Sequence, residues 1–170
     1  WCERVLSTGA AGSSDAKVLV GLGRLLSFQG ELERAEELLA RGIATAQEHG
    51  DGVTTAAGLL RLAWNAGQRG EFDRADAHLN EVLVQAAALE DPRIAAAITG
   101  MALANLGLVA RWQGDLDTAR ARHQQALQLG QEHNYTLGII RSLNDLGDVA
   151  GDMGNFVDSA AYYRECLALL

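Results

Sequence analysis

Apolar side chains recur along this chain at helical spacing, in paired stripes that short polar turns separate. Before the last turn the stripe consists of Ile140, Leu143, Leu146, Gly147 and Ala150. After that turn a second stripe consists of Phe156, Ser159, Ala160, Tyr163 and Cys166. Each stripe has the width of the core-facing side of a helix. The same offsets recur in three earlier pairs, so the pattern predicts four helical hairpins.

The turns between paired stripes are near-copies of one another. Each copy has six positions. The first is Gly, the second is an acid or Asn, and the third is Leu or Phe; two mostly polar residues follow, and the sixth is Ala or Ser. The copies are 30–35, 70–75, 114–119 and 154–159. Their glycines are 40, 44 and 40 residues apart. A period in this range is typical of repeat arrays, in which each unit packs against its neighbours only. We therefore expect a quasi-linear stack whose function depends on its concave surface.

Turn and cap residues place the boundaries of the predicted helices. The pairs are 15–29 with 31–49, 52–69 with 71–89, 92–113 with 115–133, and 135–153 with 155–170, after a helix at 1–8 and a loop at 9–14. Asp51, Asp91 and Asn134 are predicted N-caps, and Pro92 suits a first helical position. The third unit is four residues longer, in its first helix or its entry loop.

Small residues occupy one equivalent place on each predicted helix. On the first helices these are Gly23, Ala63, Gly107 and Gly147, and on the second helices Ala35, Ala75, Ala119 and Ser159. Small side chains allow two helices to approach closely while large neighbours fill the sides. We expect these places to be the contact points of each hairpin.

Composition agrees with an all-helical chain and limits its partners. Of the 170 residues 48% are hydrophobic, 5% are aromatic and one is proline. The net charge of −8 disfavours non-specific binding to nucleic acid, which needs a basic surface. No uninterrupted apolar run reaches the length of a membrane span, so we expect no membrane contact. Cys2 and Cys166 lie at opposite ends of the predicted stack, which favours free thiols and a cytoplasmic location.

The third unit carries the clearest resemblance to a known family. Its first helix contains Leu103-Ala104-Asn105-Leu106-Gly107-Leu108-Val109-Ala110, and its turn reads Gly114-Asp115-Leu116-Asp117-Thr118-Ala119. This pattern resembles the tetratricopeptide repeat, although each unit is longer than the usual ~34 residues and no proline closes the second helices. The resemblance implies an all-α solenoid, a right-handed superhelix of about four repeats plus a partial N-terminal helix. It also implies a binding module rather than an enzyme.

A narrower resemblance concerns the context of the array. The chain looks like the C-terminal arrays of bacterial signal-transduction ATPases and of LuxR-type or maltose-regulator-type transcriptional regulators. Three features carry this resemblance: the long period, second helices with an Arg-Ala-x-x-Leu-Leu-like pattern, and the opening Trp1-Cys2-Glu3-Arg4-Val5-Leu6. The resemblance implies a sensor arm that binds an inducer or a partner. We interpret 1–170 as one repeat domain, with repeats at 15–49, 52–89, 92–133 and 135–170, and with 1–8 ending a preceding repeat. The chain is then expected to be a fragment of a longer protein.

Motifs of catalysis are not visible in the sequence. No phosphate loop occurs, and the glycines between Gly147 and Gly154 fall inside a repeat. The histidines stand at no metal-ligand spacing to Cys or acid, and no nucleophile and base are paired. His123 occupies a place on a second helix where a large packed residue is usual. We therefore expect no enzyme activity, no cofactor and no metal.

The resemblance places the exposed face of the first helices on the concave side. By their offsets from the turn glycines, the candidate groove residues are Arg24, Phe28, Arg61, Trp64, Met101, Asn105, Leu108, Arg111, Trp112, Arg141, Asn144, Asp145, Asp148 and Asp152. Phe28, Trp64 and Trp112, with Arg24, Arg61 and Arg111, would form an aromatic and basic wall of the kind that dominates binding hot spots. Asp145, Asp148 and Asp152 would form an acidic face.

Each of these groups also has a purely structural interpretation. Trp64 and Trp112 would serve equally well as wedges between neighbouring units. Asp145 would pair with Arg141 one turn earlier, and Asp148 and Asp152 would be a solvated face. The carboxylate clamp that some related arrays use for chaperone tails needs Lys and Asn where this chain has Val20, Arg24 and Trp64, so that use is not expected.

Three functions remain open from the sequence. The first is a groove for a peptide or protein partner, which predicts an open and continuous channel. The second is a sensor for a small-molecule inducer, which predicts a closed pocket near Trp64, Arg111 and Trp112. The third is a structural spacer or an oligomerisation arm.

Overall fold

The computed structural model describes residues 13–169, which form eight helices and no strand. The helices are α1 (Ser13–Gln29), α2 (Leu32–Glu48), α3 (Gly52–Gln68), α4 (Phe72–Ala87), α5 (Pro92–Trp112), α6 (Leu116–Glu132), α7 (Thr136–Asp152) and α8 (Phe156–Leu167). Each predicted helix pair is therefore present, within a few residues at each boundary. The predicted helix at 1–8 lies outside the described residues.

The four hairpin turns owe their shape to glycine. Gly30, Gly70, Gly114 and Gly154 have φ between 75° and 83°, a left-handed conformation that other residues rarely adopt. After each glycine, an amide bonds back across the end of the first helix, as the Asp115 N–H does to the Ala110 carbonyl at 2.9 Å. The Asp115 side chain then caps α6 by accepting from the Thr118 N–H at 3.0 Å. One short turn thus ends one helix and begins the next.

The entry caps agree with the sequence at two positions and differ at the third. The Asp51 carboxylate accepts from the Thr54 N–H, and the Asp91 carboxylate accepts from the Arg93 N–H. The prediction for Asn134 was wrong. Asn134 has φ 52° and ends α6, while Tyr135 holds the cap position before α7 without a side-chain bond. Asn tolerates the left-handed conformation better than other side chains, so it took the place that glycine has elsewhere.

The helices stack in chain order and do not close into a bundle. Each helix contacts its neighbour in sequence, and the first helices α1, α3, α5 and α7 also contact one another in succession. The second helices α2, α4, α6 and α8 make no such contacts with one another. The first helices therefore lie on the inner side of a curved array. The array is therefore an α-solenoid of helical hairpins.

Each hairpin is held by a small residue on the first helix under a large one on the second. A Cβ added at Gly23 would lie 2.6 Å from Leu39 Cγ, and one at Gly147 would lie 2.7 Å from Tyr163 Cε1. In the third hairpin, Gly107 packs in the same way against His123, which is 1% exposed. Neighbouring hairpins share apolar clusters, one of which joins Ile43, Leu59, Val82 and Ile98.

The longest helix is α5, with 21 residues where the other first helices have 17. The four extra residues of the third unit therefore lengthen its first helix. Its mean hydropathy of 1.5 and its length would suffice for a membrane span, although one third of that window is buried inside the array. In the structure α5 packs against α3, α4, α6 and α7.

The hairpin contact predicts that the same substitution, Ala to Leu, destabilises the fold strongly at one position of α2 and hardly at another. Ala35 is 0% exposed against α1, whereas Ala40 is exposed on the same helix. We expect Ala35→Leu to lower the free energy of unfolding by about 1–3 kcal/mol, because the added atoms have no space. Ala40→Leu should change it by less than about 0.5 kcal/mol. Urea denaturation followed by circular dichroism measures both, and equal stabilities would contradict close approach at Ala35.

Candidate binding groove

A groove of about 1000 Å³ runs along the inner side of the array and is open to solvent. Side chains from α1, α3, α5 and α7 line it. Its apolar part is formed by Val20, Leu60, Trp64, Ile98, Met101 and Leu108. Its charged lining is formed by Lys17, Arg24, Arg61, Arg111, Arg141, Asp145 and Asp148. All four repeats therefore contribute to one continuous surface.

The groove contains most of the candidate residues. Arg24, Phe28, Arg61, Trp64, Met101, Asn105, Leu108, Arg111, Arg141, Asp145 and Asp148 line it. Trp112, Asn144 and Asp152 do not belong to the lining. Three residues that were not predicted also line the groove: Val53 and Thr54 at the start of α3, and Ile98 in the first half of α5. These three residues lie about one to two helical turns before the predicted groove residues on the same face of each helix, so the same spacing extended toward the N-terminus would have included them.

Trp112 packs between two repeats at the edge of the groove. A Cβ at Gly67 of the preceding repeat would lie 2.3 Å from Trp112 Cζ3, so the indole occupies the space that this glycine leaves. Its ring centroid is 5.7 Å from that of Trp64, with a T-shaped angle of 61°. This edge-to-face geometry is favourable for aromatic pairs. Trp112 thus acts as a wedge, whereas Trp64 contacts it and also faces the groove.

Arg111, one of the three arginines of the predicted aromatic and basic wall, is paired with two carboxylates. Its guanidinium donates to Asp148 at 2.8 Å and to Asp152 at 2.5 Å, both from the next repeat. These bonds, together with the two negative charges, raise the pKa of Arg111. Asp148 also accepts from the Tyr163 hydroxyl at 2.5 Å. The acidic face is therefore a bonded network between repeats.

A second network lies beside it on α5 and α7. Arg141 donates to the Asn105 side-chain carbonyl at 2.9 Å and approaches Asp145 at 3.7 Å. Burial raises the pKa of Asp145 and outweighs the positive charge of Arg141, which lowers it. The pairing of Asp145 with Arg141 one turn earlier is thus present, and Asn105 joins it from the preceding repeat.

The other end of the groove has a different character. There the Arg61 guanidinium lies over the Phe28 ring, 4.6 Å from its centroid, and Phe28 is 71% exposed. Partial burial, together with the nearby positive charge of Arg24, lowers the pKa of Arg61. The groove is therefore cationic at its α1 and α3 end, apolar in the middle and charge-balanced at its α7 end.

His123 lies in the interior of the third hairpin, next to the groove residue Asp145. It is buried, and its Nδ1 has no hydrogen-bond partner within residues 13–169. Burial is the main cause that lowers its pKa to about 4, with Arg141 and Arg111 acting in the same direction. The ring is therefore neutral at pH 7, and its 3.6 Å approach to Asp145 is not an ion pair. In the part of the chain that the structure describes, no three His, Cys, Asp or Glu side chains are placed to hold a metal ion.

Family comparison agrees with this architecture. Two tetratricopeptide-repeat family models match the sequence, one over residues 98–170 and one over residues 16–49. Within these segments the sequence is similar to tetratricopeptide repeats, and each match covers less than half of the chain. Such repeats imply a protein-interaction module and are typically not enzymatic. No curated protein matches the sequence.

Solved structures show the same fold at low sequence identity. A Rap protein complexed with competence and sporulation factor is similar with a TM-score of 0.82 and 16% identity, over 92% of this chain and 43% of that one. BtubC (BKLC) from P. vanneervenii is similar with a TM-score of 0.77 and 20% identity, over 99% of this chain and 68% of that one. This chain thus spans less than half of the Rap structure.

The buried histidine predicts an acid-sensitive third hairpin. The pKa of His123 is about 4 in the folded chain and about 6.5 when unfolded. Between these values the unfolded chain binds a proton that the folded chain does not. Lowering the pH from 6.5 to 4 should therefore remove about 3 kcal/mol of stability.

The matched variant is His123→Leu, since Leu39 and Leu79 occupy the equivalent place. It should keep its stability near pH 7 and lose much of the decline on acidification, because no proton binds at position 123. Urea denaturation at a series of pH values measures the difference between the two proteins. Parallel profiles would show that His123 is not held neutral by burial.

Proposed function

We propose that this chain binds a segment of a peptide or protein partner along its inner groove. The observation that carries the proposal is the open groove itself, with an apolar middle and charged ends formed by all four repeats. A bound segment would lay apolar side chains on Leu60, Met101 and Leu108 and place polar ones at the ends. This is the mode in which a helix or an extended chain occupies a groove.

The alternative of a small-molecule inducer near Trp64, Arg111 and Trp112 has less support. Arg111 already binds Asp148 and Asp152, and Trp112 fills the space over Gly67. These side chains therefore do not converge on an enclosed pocket. The groove is also open, and its volume of about 1000 Å³ stands at the upper end of the range of about 300–1000 Å³ for small-ligand sites.

We further propose that the array is the sensor arm of a larger bacterial regulator in the cytoplasm. Support comes from the long repeat period and from the opening segment 1–6, which resemble the arrays of such regulators. The sequence on either side of this chain in its gene tests this proposal. A phosphate loop upstream or a helix-turn-helix at either end is expected, and an unbroken series of further repeats without either would contradict it.

The partner-binding proposal predicts that one groove substitution abolishes binding. Random peptides displayed on phage are selected on the immobilised chain and then measured against two variants. Leu108 lines the groove, whereas Val84 on α4 is 67% exposed outside it. We expect Leu108→Glu to weaken selected peptides at least tenfold, or about 1.4 kcal/mol, because it places a charge in the apolar middle.

Val84→Glu makes the same chemical change outside the groove and should leave those affinities unchanged. Circular dichroism establishes that both variants are folded. Failure of the wild-type chain to enrich any peptide would contradict the proposal. So would selected peptides that bind Leu108→Glu as tightly as the wild type.

A further inference from the structure

Among the described residues 13–169, two of the five cations that line the groove have no carboxylate partner. Lys17 pairs with Asp51 at 3.7 Å, Arg111 with Asp148 and Asp152, and Arg141 with Asp145. Within residues 13–169, neither Arg24 nor Arg61 makes an ion pair or a side-chain hydrogen bond. Both line the same end of the groove, on α1 and α3.

The surroundings of Arg61 make this absence of a counter-charge unfavourable. Its guanidinium is partly buried and lies next to the like charge of Arg24, and both influences lower its pKa. Stacking on the Phe28 ring offsets part of this cost and leaves the edge of the planar guanidinium for other acceptors. An anion placed between the two guanidinium groups would remove their repulsion and satisfy their donors.

The four repeats show that this cationic end is local. At the position of Arg24 the later repeats carry Trp64, Leu108 and Asp148, so one groove position changes from cation to apolar to anion along the array. The acids of the last repeat are used by Arg111 and do not reach the first. The cationic end also contrasts with the chain's net charge of −8.

We propose that Arg24 and Arg61 bind an acidic side chain of the partner segment, with Phe28 holding Arg61 in position. This inference rests on the proposed function and adds the chemistry of the partner: an Asp or Glu next to apolar residues that occupy the middle of the groove. Arginine donors suit a carboxylate because they form two parallel hydrogen bonds to it.

A peptide fits the observations better than a free anion or a nucleic acid. The cationic end is continuous with the apolar lining at Leu60 and Trp64, which a small anion would leave uncovered. A nucleic acid would need positive charge along the whole groove, and its α7 end carries Asp145 and Asp148.

The test compares acidic and amide forms of the same peptides. Peptides selected on the wild-type chain are synthesised as found and with every Asp and Glu replaced by Asn and Gln. Their affinities are measured by fluorescence anisotropy for the wild type, for Arg24→Gln/Arg61→Gln and for Arg41→Gln/Arg93→Gln. Arg41 and Arg93 are exposed outside the groove, so the second double variant matches the change in net charge.

We expect the acidic form to bind the wild type at least about tenfold more tightly than the amide form, the effect of one charged hydrogen-bonded contact. Arg24→Gln/Arg61→Gln should remove this preference and Arg41→Gln/Arg93→Gln should keep it. Equal binding of the two forms by the wild type would overturn the inference. So would a preference that survives Arg24→Gln/Arg61→Gln.

Two controls separate this inference from the groove proposal on which it rests. Peptides that lose affinity for Leu108→Glu but show no acid preference would leave the groove proposal standing and refute the acidic partner. Free glutarate is tested as a competitor. If it binds as tightly as the acidic peptide, the Arg24 and Arg61 site belongs to a small anion and the inference fails.

Discussion

The close approach of two helices at one small residue is the contact on which the array depends. Gly23, Gly107 and Gly147 each lie directly under a large side chain of the facing helix, with no space for a Cβ. Because interiors are packed to high density, this contact fixes the distance and rotation of each hairpin. It also commits one face of each first helix to the interior. The opposite face is left free on the inner side of the stack.

Because this face is free, the chemical character of the groove can change from one repeat to the next without a change of fold. The helix-pair contact itself uses only a few positions, where Gly or Ala recurs on the first helix, so most groove positions differ from repeat to repeat. Ion pairs between repeats then divide the groove, since Arg111 reaches Asp148 across 37 residues of sequence. The result is a cationic end, an apolar middle and a charge-balanced end, which in the proposed function would select partner segments by chemistry rather than by size alone.

Most of the fold follows from the sequence because its determinants are local and repeated. Turn glycines, caps and apolar stripes predict the helix pairs, and Asn134 shows the limit. Asn can either cap a helix or end one in the left-handed conformation, and spacing alone does not decide between these uses. The location of the groove was predicted through the resemblance to tetratricopeptide repeats, which places the exposed face of the first helices on the concave side. The offset from each turn glycine then identifies the residues of that face.

The charges in the groove could not be predicted in the same way. Whether Arg111 is paired depends on its distance from Asp148 and Asp152 of the next repeat. That distance is set by the stacking of the repeats, which no local sequence pattern determines. The same holds for Trp112, whose position is set by the space over Gly67 in another repeat. Contacts between repeats therefore decide which groove residues remain available to a partner.

Amide hydrogen exchange of the chain with and without a peptide selected on it tests the central claim most directly. We expect slower exchange on binding in the first helices α1, α3 and α5, whose inner faces line the groove, with little change in α2, α4 and α6. Slower exchange concentrated in those second helices would place the partner on the outer side and contradict the account.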